Sequence, residues 1–241
     1  RWSPDSKKIL WADKRQRLQY VDVESEGITQ VDRATAWEMH NYGWSPDSQW
    51  IVYTRPEVET VSRIYLYSLD KKESYPITDT WYEADNAVFS SDGRFVFFVS
   101  NRDFNPIYSW TEWNHVYLDM ARIYFVTLAK DTPSPFEPTS DEVQIKKDES
   151  KDDSEKKPEE KEKKAEEGKE EAKDEKAGDK GLRVDIDGII GRVLALPIEA
   201  SRYYSLTSVG DLLYYNRNGS KDRGSKLLVY DLKEKKGTEI G

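Results

Sequence analysis

The sequence of 241 residues contains no cysteine and only two histidines. The lack of cysteine excludes disulfides, thiolate nucleophiles and cysteine zinc sites, and it agrees with a reducing compartment. No segment approaches the run of about 18 apolar residues that a membrane-spanning helix needs. We therefore expect no membrane contact and a cytoplasmic location. The periplasm is the alternative, because the sequence begins at Arg1 rather than at methionine and a leader upstream cannot be judged.

Motifs for catalysis are also missing. His40 lies in AWEMHNYGW, which predicts an outer strand, and His115 lies in a loop rich in tryptophan. There is no GxSxG nucleophile elbow, and the two histidines lack the close spacing of a zinc pair. We therefore predict no catalytic residue, no metal site and no cofactor in this chain.

Two short stretches partly resemble known motifs, one for calcium binding and one for glycosylation, but neither leads us to predict a site. In RVDIDGIIGRV, a calcium loop would need oxygen ligands five, three and one residues before Gly188 and a glutamate six residues after it. Arg183 and Leu194 stand at two of these four positions, so we reject a calcium site. The sequon at Asn218 marks glycosylation only in a eukaryotic secretory pathway, for which nothing in the sequence argues.

Charge is unevenly distributed along the chain. The net charge of -9 argues against a general role in binding nucleic acid. The 35 residues from Lys146 to Lys180 include 12 lysines and 15 acidic residues, and such a segment buries too little apolar area to offset the entropy of ordering. We predict a disordered insert over 146–181 that is dispensable for folding. We interpret it as a tolerated insertion between strands, with a docking arm for a partner as the alternative.

A unit made of a turn and a strand recurs in the rest of the sequence. WSPDSKKILWA begins at Trp2, WSPDSQWIVYT begins 42 residues later at Trp44, and FSSDGRFVFFV begins another 45 residues on at Phe89. Proline suits the second turn position, and aspartate can bond its own local backbone, so each motif predicts a tight turn before a strand. A weaker fourth unit has Gly210 and Asp211 in place of the Pro-Asp pair.

The length of the unit predicts the architecture. Further strand-like runs follow each turn, such as LQYVDVES and IYLYSLDKKE, and two units add GITQVD or SYPITD. A period of about 40 to 45 residues with four short strands is typical of one propeller blade. We therefore predict an all-β fold: a partial β-propeller of about four blades with four-stranded antiparallel sheets. The blades occupy 1–145 and 182–241, on either side of the insert. Because most closed rings need more blades, we expect part of the propeller to lie outside this sequence.

Repetition also decides between two roles for the turn aspartates. Asp5, Asp47 and Asp92 occupy the same place in three units. A catalytic or calcium-binding group is needed once, whereas a turn is needed in every blade, so we predict a structural role. The long aromatic loop over 101–119 is not repeated. It either packs against a neighbouring domain, covers the propeller rim or lines a ligand groove.

The WSPDS motif and its following strand resemble the propeller repeats of the TolB, tricorn protease and prolyl oligopeptidase families. Three unrepeated stretches narrow the resemblance: FVSNRDFNPIYS from Phe98, DTPSPFEPTSDEV from Asp131, and VDIDGIIGRVLALPIEASRYYSL from Val184. In this order they are similar to the second, seven-bladed propeller of bacterial tricorn-type proteases. The resemblance covers nearly the whole chain except the insert.

This resemblance implies a serine protease that degrades peptides released by other proteases. Its propellers gate or channel peptide substrates, and they precede a PDZ-like module and a catalytic domain in the same chain. A homo-oligomer, often a hexamer, is implied by the same analogy. The family's catalytic serine and histidine lie in the later domain, and no residue here matches their motif. The alternatives are the propeller of a prolyl-oligopeptidase-type peptidase and a TolB-like protein-interaction module.

Overall fold

The structure, a computed structural model, describes residues 1–108, 115–136 and 181–241. The charged insert predicted over 146–181 lies outside the described residues except for Gly181, so its disorder stays a prediction. The regular secondary structure of the described residues consists of β-strands and one short 3₁₀ helix, Ile189–Arg192. None of the described residues forms a helix long and apolar enough to cross a membrane.

The strands form four antiparallel sheets in chain order, which we call blades 1 to 4, and a separate hairpin. Blade 1 contains β1 (Lys8–Ala12), β2 (Arg17–Asp22) and β3 (Ile28–Arg33), and blade 2 contains β4 (Tyr42–Trp44), β5 (Trp50–Arg55), β6 (Arg63–Ser68) and β7 (Glu73–Pro76). Next along the chain come β8 (Ala84–Phe89), β9 (Phe95–Asn101), β10 (Pro106–Tyr108), β11 (His115–Tyr117), β12 (Ala121–Thr127), β13 (Val193–Ala195), β14 (Tyr203–Val209), β15 (Leu212–Arg217), β16 (Lys226–Asp231) and β17 (Lys236–Glu239).

The order of strands within the sheets is that of propeller blades. Blade 2 runs β4-β5-β6-β7 and blade 4 runs β14-β15-β16-β17, whereas blade 3 runs β8-β9-β12-β13. The β10-β11 hairpin is inserted between the second and third strands of blade 3. Because β13 follows the charged segment and pairs with β12, the chain returns after that segment to finish the same blade. The predicted all-β partial propeller of about four blades is confirmed.

The continuous apolar run FVFFV in β9 is explained by burial on both faces of blade 3. Phe95 and Phe97 belong to the core between blades 3 and 4, whereas Val96 and Phe98 belong to the core between blades 2 and 3. Successive side chains of a strand point to opposite faces, so a strand buried on both sides loses its polar positions. The apolar strands thus form the cores between neighbouring blades.

The end blades have one covered face in this chain. Along β14 the burial alternates, with Leu206 packed against the core and its neighbours Ser205 and Thr207 exposed. Blade 1 shows the same difference, since Val31 on β3 is buried while Ile28 is 63% exposed. This alternation is the pattern of a sheet with a single apolar neighbour.

The repeated turns are held by the same three hydrogen bonds in each of the first three blades. In blade 2, Ser45 Oγ donates to Asp47 Oδ1 at 2.5 Å and accepts from the Trp50 amide at 2.9 Å. The Ser48 amide closes the turn on the Ser45 carbonyl at 3.0 Å. Equivalent bonds join Ser3, Asp5 and Lys8 in blade 1 and Ser90, Asp92 and Phe95 in blade 3. The predicted turn role of the aspartates is confirmed.

We expect Ser45→Ala to lower the free energy of unfolding by about 1.5 kcal/mol. The Ser45 side chain is fully buried, and its loss removes the bond to Asp47 and leaves the Trp50 amide without its acceptor. Urea denaturation measures the change. The matched control is Thr60→Ala in an exposed loop, where we expect a change below about 0.5 kcal/mol. Equal effects of the two variants would contradict the role of Ser45.

Candidate functional site

The innermost strands of blades 2, 3 and 4 border a cavity of about 530 Å³, which we call the inner cavity. These strands are β4, β8 and β14, and the first residues of the chain complete the lining. Its wall contains both large aromatic and small polar side chains, among them Trp2, Tyr42, Trp44, Asn86, Ser205 and Thr207. The inner cavity occupies the place of a propeller's central channel, where strands rather than loops position the lining.

Two of the lining strands carry a β-bulge at equivalent places. The register of β8 against β9 shifts between Asp85 and Val88, and that of β14 against β15 shifts between Tyr204 and Thr207. Within the bulges, Asn86 has a φ of 56° and Ser205 a φ of 55°. Residues other than glycine rarely adopt this left-handed region, so the surrounding structure must hold them there. The bulges therefore break the backbone ladder where the strands face the cavity.

One hydrogen bond fixes the end of the inner cavity nearest the connections between blades. Asn41, which precedes β4, donates from Nδ2 to Asp85 Oδ1 at 2.5 Å. The bond joins blade 2 to blade 3 beside the bulge at Asn86. The carboxylate of Asp85 is thereby occupied by a neutral amide, and it forms no ion pair with any of the residues that the structure describes.

Exposed aromatic residues collect at one end of the strands. In antiparallel blades, the loops after the second strand and the connections between blades lie at the same end, opposite the repeated turns. This end, the aromatic face, carries side chains at least 57% exposed: Trp37, Trp81, Phe104 and Tyr108. Exposed apolar residues grouped in this way are typical of interaction surfaces.

The loop over 101–119, which the sequence predicts as a loop, contains the β10-β11 hairpin. Residues 109–114 lie outside the described residues. The described part is joined to blade 3 by Arg122, whose guanidinium donates to both carboxylate oxygens of Asp103 at 2.6 and 3.0 Å. Tyr117 and Leu118 border a cavity of about 440 Å³, so this segment does line a groove.

The stretch IDGIIGRV forms a clamp at the base of the segment 137–180. Arg192 donates to the carbonyl oxygens of Thr127 and Leu128 before that segment, and of Asp185 and Asp187 after it. Burial lowers the pKa of Arg192, because the guanidinium is partly removed from water. Gly188, with a φ of 70°, makes the left-handed turn that begins the 3₁₀ helix. This stretch is structural.

The carboxylates of the rejected calcium loop are engaged in ion pairs. Asp185 lies 2.9 Å from Arg183, and Asp187 lies 2.7 Å from Lys130. A hydrogen bond from the Lys130 amide, followed by the charge of Arg183, lowers the pKa of Asp185. Each of these two carboxylates is thus paired with a basic side chain.

The prediction for His40 is wrong. His40 is exposed and lies in the connection over 34–41 rather than in an outer strand. Since β3 ends at Arg33, the chain needs these residues to cross from the outer edge of blade 1 to the inner edge of blade 2. Buried Met39 anchors the crossing. His115 begins β11 of the inserted hairpin, so the two histidines lie in different parts of the chain.

Sequence reasoning missed the two bulges. Asn86 stands in ADNAVF, where an asparagine that tolerates the left-handed region offers a weak signal. Ser205 stands in YYSLTSV, which has no such signal because serine fits a regular strand equally well. Only the register of the paired strands reveals the bulges.

Comparison with known proteins identifies close parallels. The family model described as the tricorn protease second beta propeller domain matches residues 1–241. Tricorn protease homolog 1 of Streptomyces coelicolor is 26% identical over 252 residues, which cover 99% of this chain and 22% of the relative. The chain spans about a fifth of the length of the curated relatives it matches.

Solved structures show the same fold. The crystal structure of the tricorn protease matches with a TM-score of 0.73 at 14% identity, covering 99% of this chain and 22% of that one. The putative TolB from Agrobacterium tumefaciens matches with a TM-score of 0.57 at 14% identity, covering 99% of this chain and 62% of that one. At these identities the structural likeness concerns the fold alone.

Proposed function

Because the chain belongs to the family of tricorn protease second β-propeller domains, we propose that it gates or channels peptides in a serine-type peptidase. The segment itself is non-catalytic, and a PDZ-like module and a protease domain of the same chain are its partners. Assembly into a homo-oligomer and a cytoplasmic location belong to the same proposal. The relatives named as tricorn proteases are several times longer than this chain, which leaves room for such domains.

The inner cavity is the observation that carries the proposal. Its walls come from β4, β8 and β14, whose blades are held together by the cores between blades 2 and 3 and between blades 3 and 4. An opening framed by packed strands admits an extended chain and excludes a folded domain. Mixed aromatic and small polar side chains suit contact with peptides of many sequences.

The bulges at Asn86 and Ser205 support passage rather than tight capture. The inner edge of a propeller strand presents unpaired amide and carbonyl groups, and an extended peptide can add to such an edge as another strand. A bulge interrupts the regular spacing of these groups. A peptide beside β8 or β14 therefore cannot form a continuous ladder, and it remains free to move along the cavity.

Narrowing the inner cavity tests this function in the full-length protein. We expect Thr207→Trp to lower kcat/KM for a peptide of about 12 residues by about fivefold, which corresponds to a barrier of roughly 1 kcal/mol. A minimal fluorogenic substrate of one or two residues should change by less than about twofold. The control is Thr238→Trp on the exposed outermost strand of blade 4.

Two results would contradict the proposal. An unchanged kcat/KM for the long peptide in the Thr207 variant would show that peptides do not pass through the inner cavity. A full-length protein without any peptidase activity would favour the second candidate, a TolB-like interaction propeller. The exposed side chains Trp37 and Trp81 on the aromatic face are the observation behind that candidate.

A further inference from the structure

Two adjoining cavities lie along the seam between blades 3 and 4. The larger, of about 440 Å³, and the smaller, of about 210 Å³, share Asn101, Ala121 and Arg202 in their walls. The smaller one also reaches Asn86, which borders the inner cavity. Together they form a groove, which we call the seam groove, from the bulge of β8 towards the β10-β11 hairpin.

The backbone of the seam groove is held by pairing between the two blades. Ala121 and Ser201 exchange two hydrogen bonds, at 3.1 and 2.8 Å. The Asn218 amide donates to the Arg202 carbonyl at 3.0 Å, which sets the loop after β15 beside the start of β14. The carboxylate of Asp119 accepts the Ser220 amide at 2.9 Å and the Ser220 hydroxyl. The groove is therefore preformed.

One wall of the larger cavity is apolar. Tyr117 and Leu118 line it and yet remain 46% and 44% exposed, and Met120 lies beside them. Apolar side chains that line a cavity and still contact water gain free energy when a ligand covers them. The side-chain amide of the neighbouring Asn218 can pair with a peptide group, because it offers a donor and an acceptor side by side.

The guanidinium of Arg202 is the charged group of the groove that makes no hydrogen bond or ion pair to any described residue. The acidic groups in the same walls are occupied: Glu83 accepts from Asn101 at 2.9 Å, and Asp85 accepts from Asn41 at 2.5 Å. Elsewhere in blade 4, Arg217 is paired with both Asp222 and Glu199. The free guanidinium therefore stands at the junction of the two cavities with its donors available.

We propose that the seam groove binds an extended peptide and that Arg202 anchors a carboxylate of that peptide. The inference rests on the proposed function in taking peptides as the ligand class. A guanidinium matches a carboxylate with two parallel hydrogen bonds, which a lysine or an amide cannot reproduce. The carboxylate belongs to the C-terminus of the peptide or to an aspartate or glutamate side chain.

Binding by the full-length protein tests the inference. Any serine-type peptidase activity is first removed with diisopropyl fluorophosphate, and anisotropy is measured with fluorescent apolar hexapeptides. One probe has a free C-terminal carboxylate, the second is amidated without acidic residues, and the third is amidated with one internal glutamate. We expect the first or the third probe to bind about tenfold more tightly than the second, and the stronger of the two identifies the source of the carboxylate.

Arg202→Gln should remove this tenfold preference, whereas Arg223→Gln should retain it. Arg223 is an exposed arginine in the loop before β16 and does not line either cavity. Thermal melting of both variants verifies that they are folded. Equal binding of the three probes, or an unchanged preference in the Arg202 variant, overturns the inference.

The two proposals fail in different ways. If the Thr207 variant loses turnover of the long peptide while Arg202→Gln leaves the carboxylate preference intact, peptide binding in the seam groove is refuted. Peptide passage through the inner cavity is then supported. If the full-length protein has no peptidase activity but still prefers a carboxylate in a manner that depends on Arg202, the channel is wrong and the seam groove stands.

Discussion

Arg192→Met is expected to lower the free energy of unfolding by about 3 kcal/mol. The guanidinium donates to the carbonyls of Thr127 and Leu128 on one side of the segment 137–180, and to those of Asp185 and Asp187 on the other. Methionine keeps much of the apolar stem but removes every donor. Four backbone carbonyls then lose this donor, although the Leu128 carbonyl keeps the Asp185 amide at 2.9 Å, and the two flanks lose one of their attachments.

Urea denaturation of the folded chain measures this loss through the midpoint and the slope of the transition. Arg183→Met is the matched control, because Arg183 lies in the same cluster but is exposed. Its ion pairs with Asp131 at 2.7 Å and Asp185 at 2.9 Å are surface pairs, each worth about 0 to 1 kcal/mol. If both variants lower the free energy of unfolding equally, the loss comes from removing a positive charge, and the proposed role of the Arg192 hydrogen bonds is wrong.

The second large effect is expected for Asp32→Ala, with a loss of about 2 kcal/mol. Asp32 on β3 belongs to blade 1, and its Oδ2 accepts the hydroxyl of Tyr53 at 2.6 Å and Arg55 Nη1 at 2.9 Å, both from blade 2. The Tyr53 side chain is fully buried. Burial, followed by the charge of Asp32, raises the pKa of the Tyr53 hydroxyl. The hydroxyl is therefore protonated at neutral pH and acts as a donor.

Arg55 is the partner of Asp32 that limits how far Asp32→Ala lowers the free energy of unfolding. Burial opposes its charge, but the hydrogen bond with Glu57 and the charge of Asp32 outweigh burial and raise its pKa. Without Asp32, Arg55 keeps Glu57 at 2.9 Å, which limits the loss to less than that of an isolated buried charge. Urea denaturation measures the free energy of unfolding of this variant as well.

Glu239→Ala is the control for Asp32→Ala. Glu239 pairs with Lys226 at 2.8 Å on the outer strands of blade 4, where both side chains are substantially exposed. We expect a change below about 0.5 kcal/mol. A loss from Asp32→Ala no larger than this would mean that the bonds of Asp32 do not stabilise the contact between blades 1 and 2.

The turns show why so much of the fold is predictable. The bonds that define the turn of blade 2 connect Ser45, Asp47, Ser48 and Trp50, which lie within six positions of the chain. Interactions this local appear as a short pattern of letters, and their recurrence every 42 to 45 residues counts the blades. The strands follow from the apolar runs, because burial on both faces of blade 3 requires them.

Contacts between blades are not encoded in such patterns. Asp47 Oδ2 accepts the amide of Leu182 at 2.7 Å, although 135 positions separate them in the chain. The Leu182 side chain in turn lies over Gly93, where an added Cβ would stand 2.1 Å from Leu182 Cδ1. Repetition predicts the turns in which Asp47 and Gly93 stand, but nothing in the repeat predicts this contact.

The sequence by itself determined the architecture, the number of blades and the structural role of the turn aspartates, because these depend on hydrogen bonds within a few residues and on strand periodicity. Only the tertiary structure located the cavities on which the proposed peptide binding rests. The bulges at Asn86 and Ser205 depend on register against a neighbouring strand. The availability of Arg202 depends on which acidic groups the facing blades have already paired. Such properties arise when strands distant in the chain pack together, so no local pattern records them.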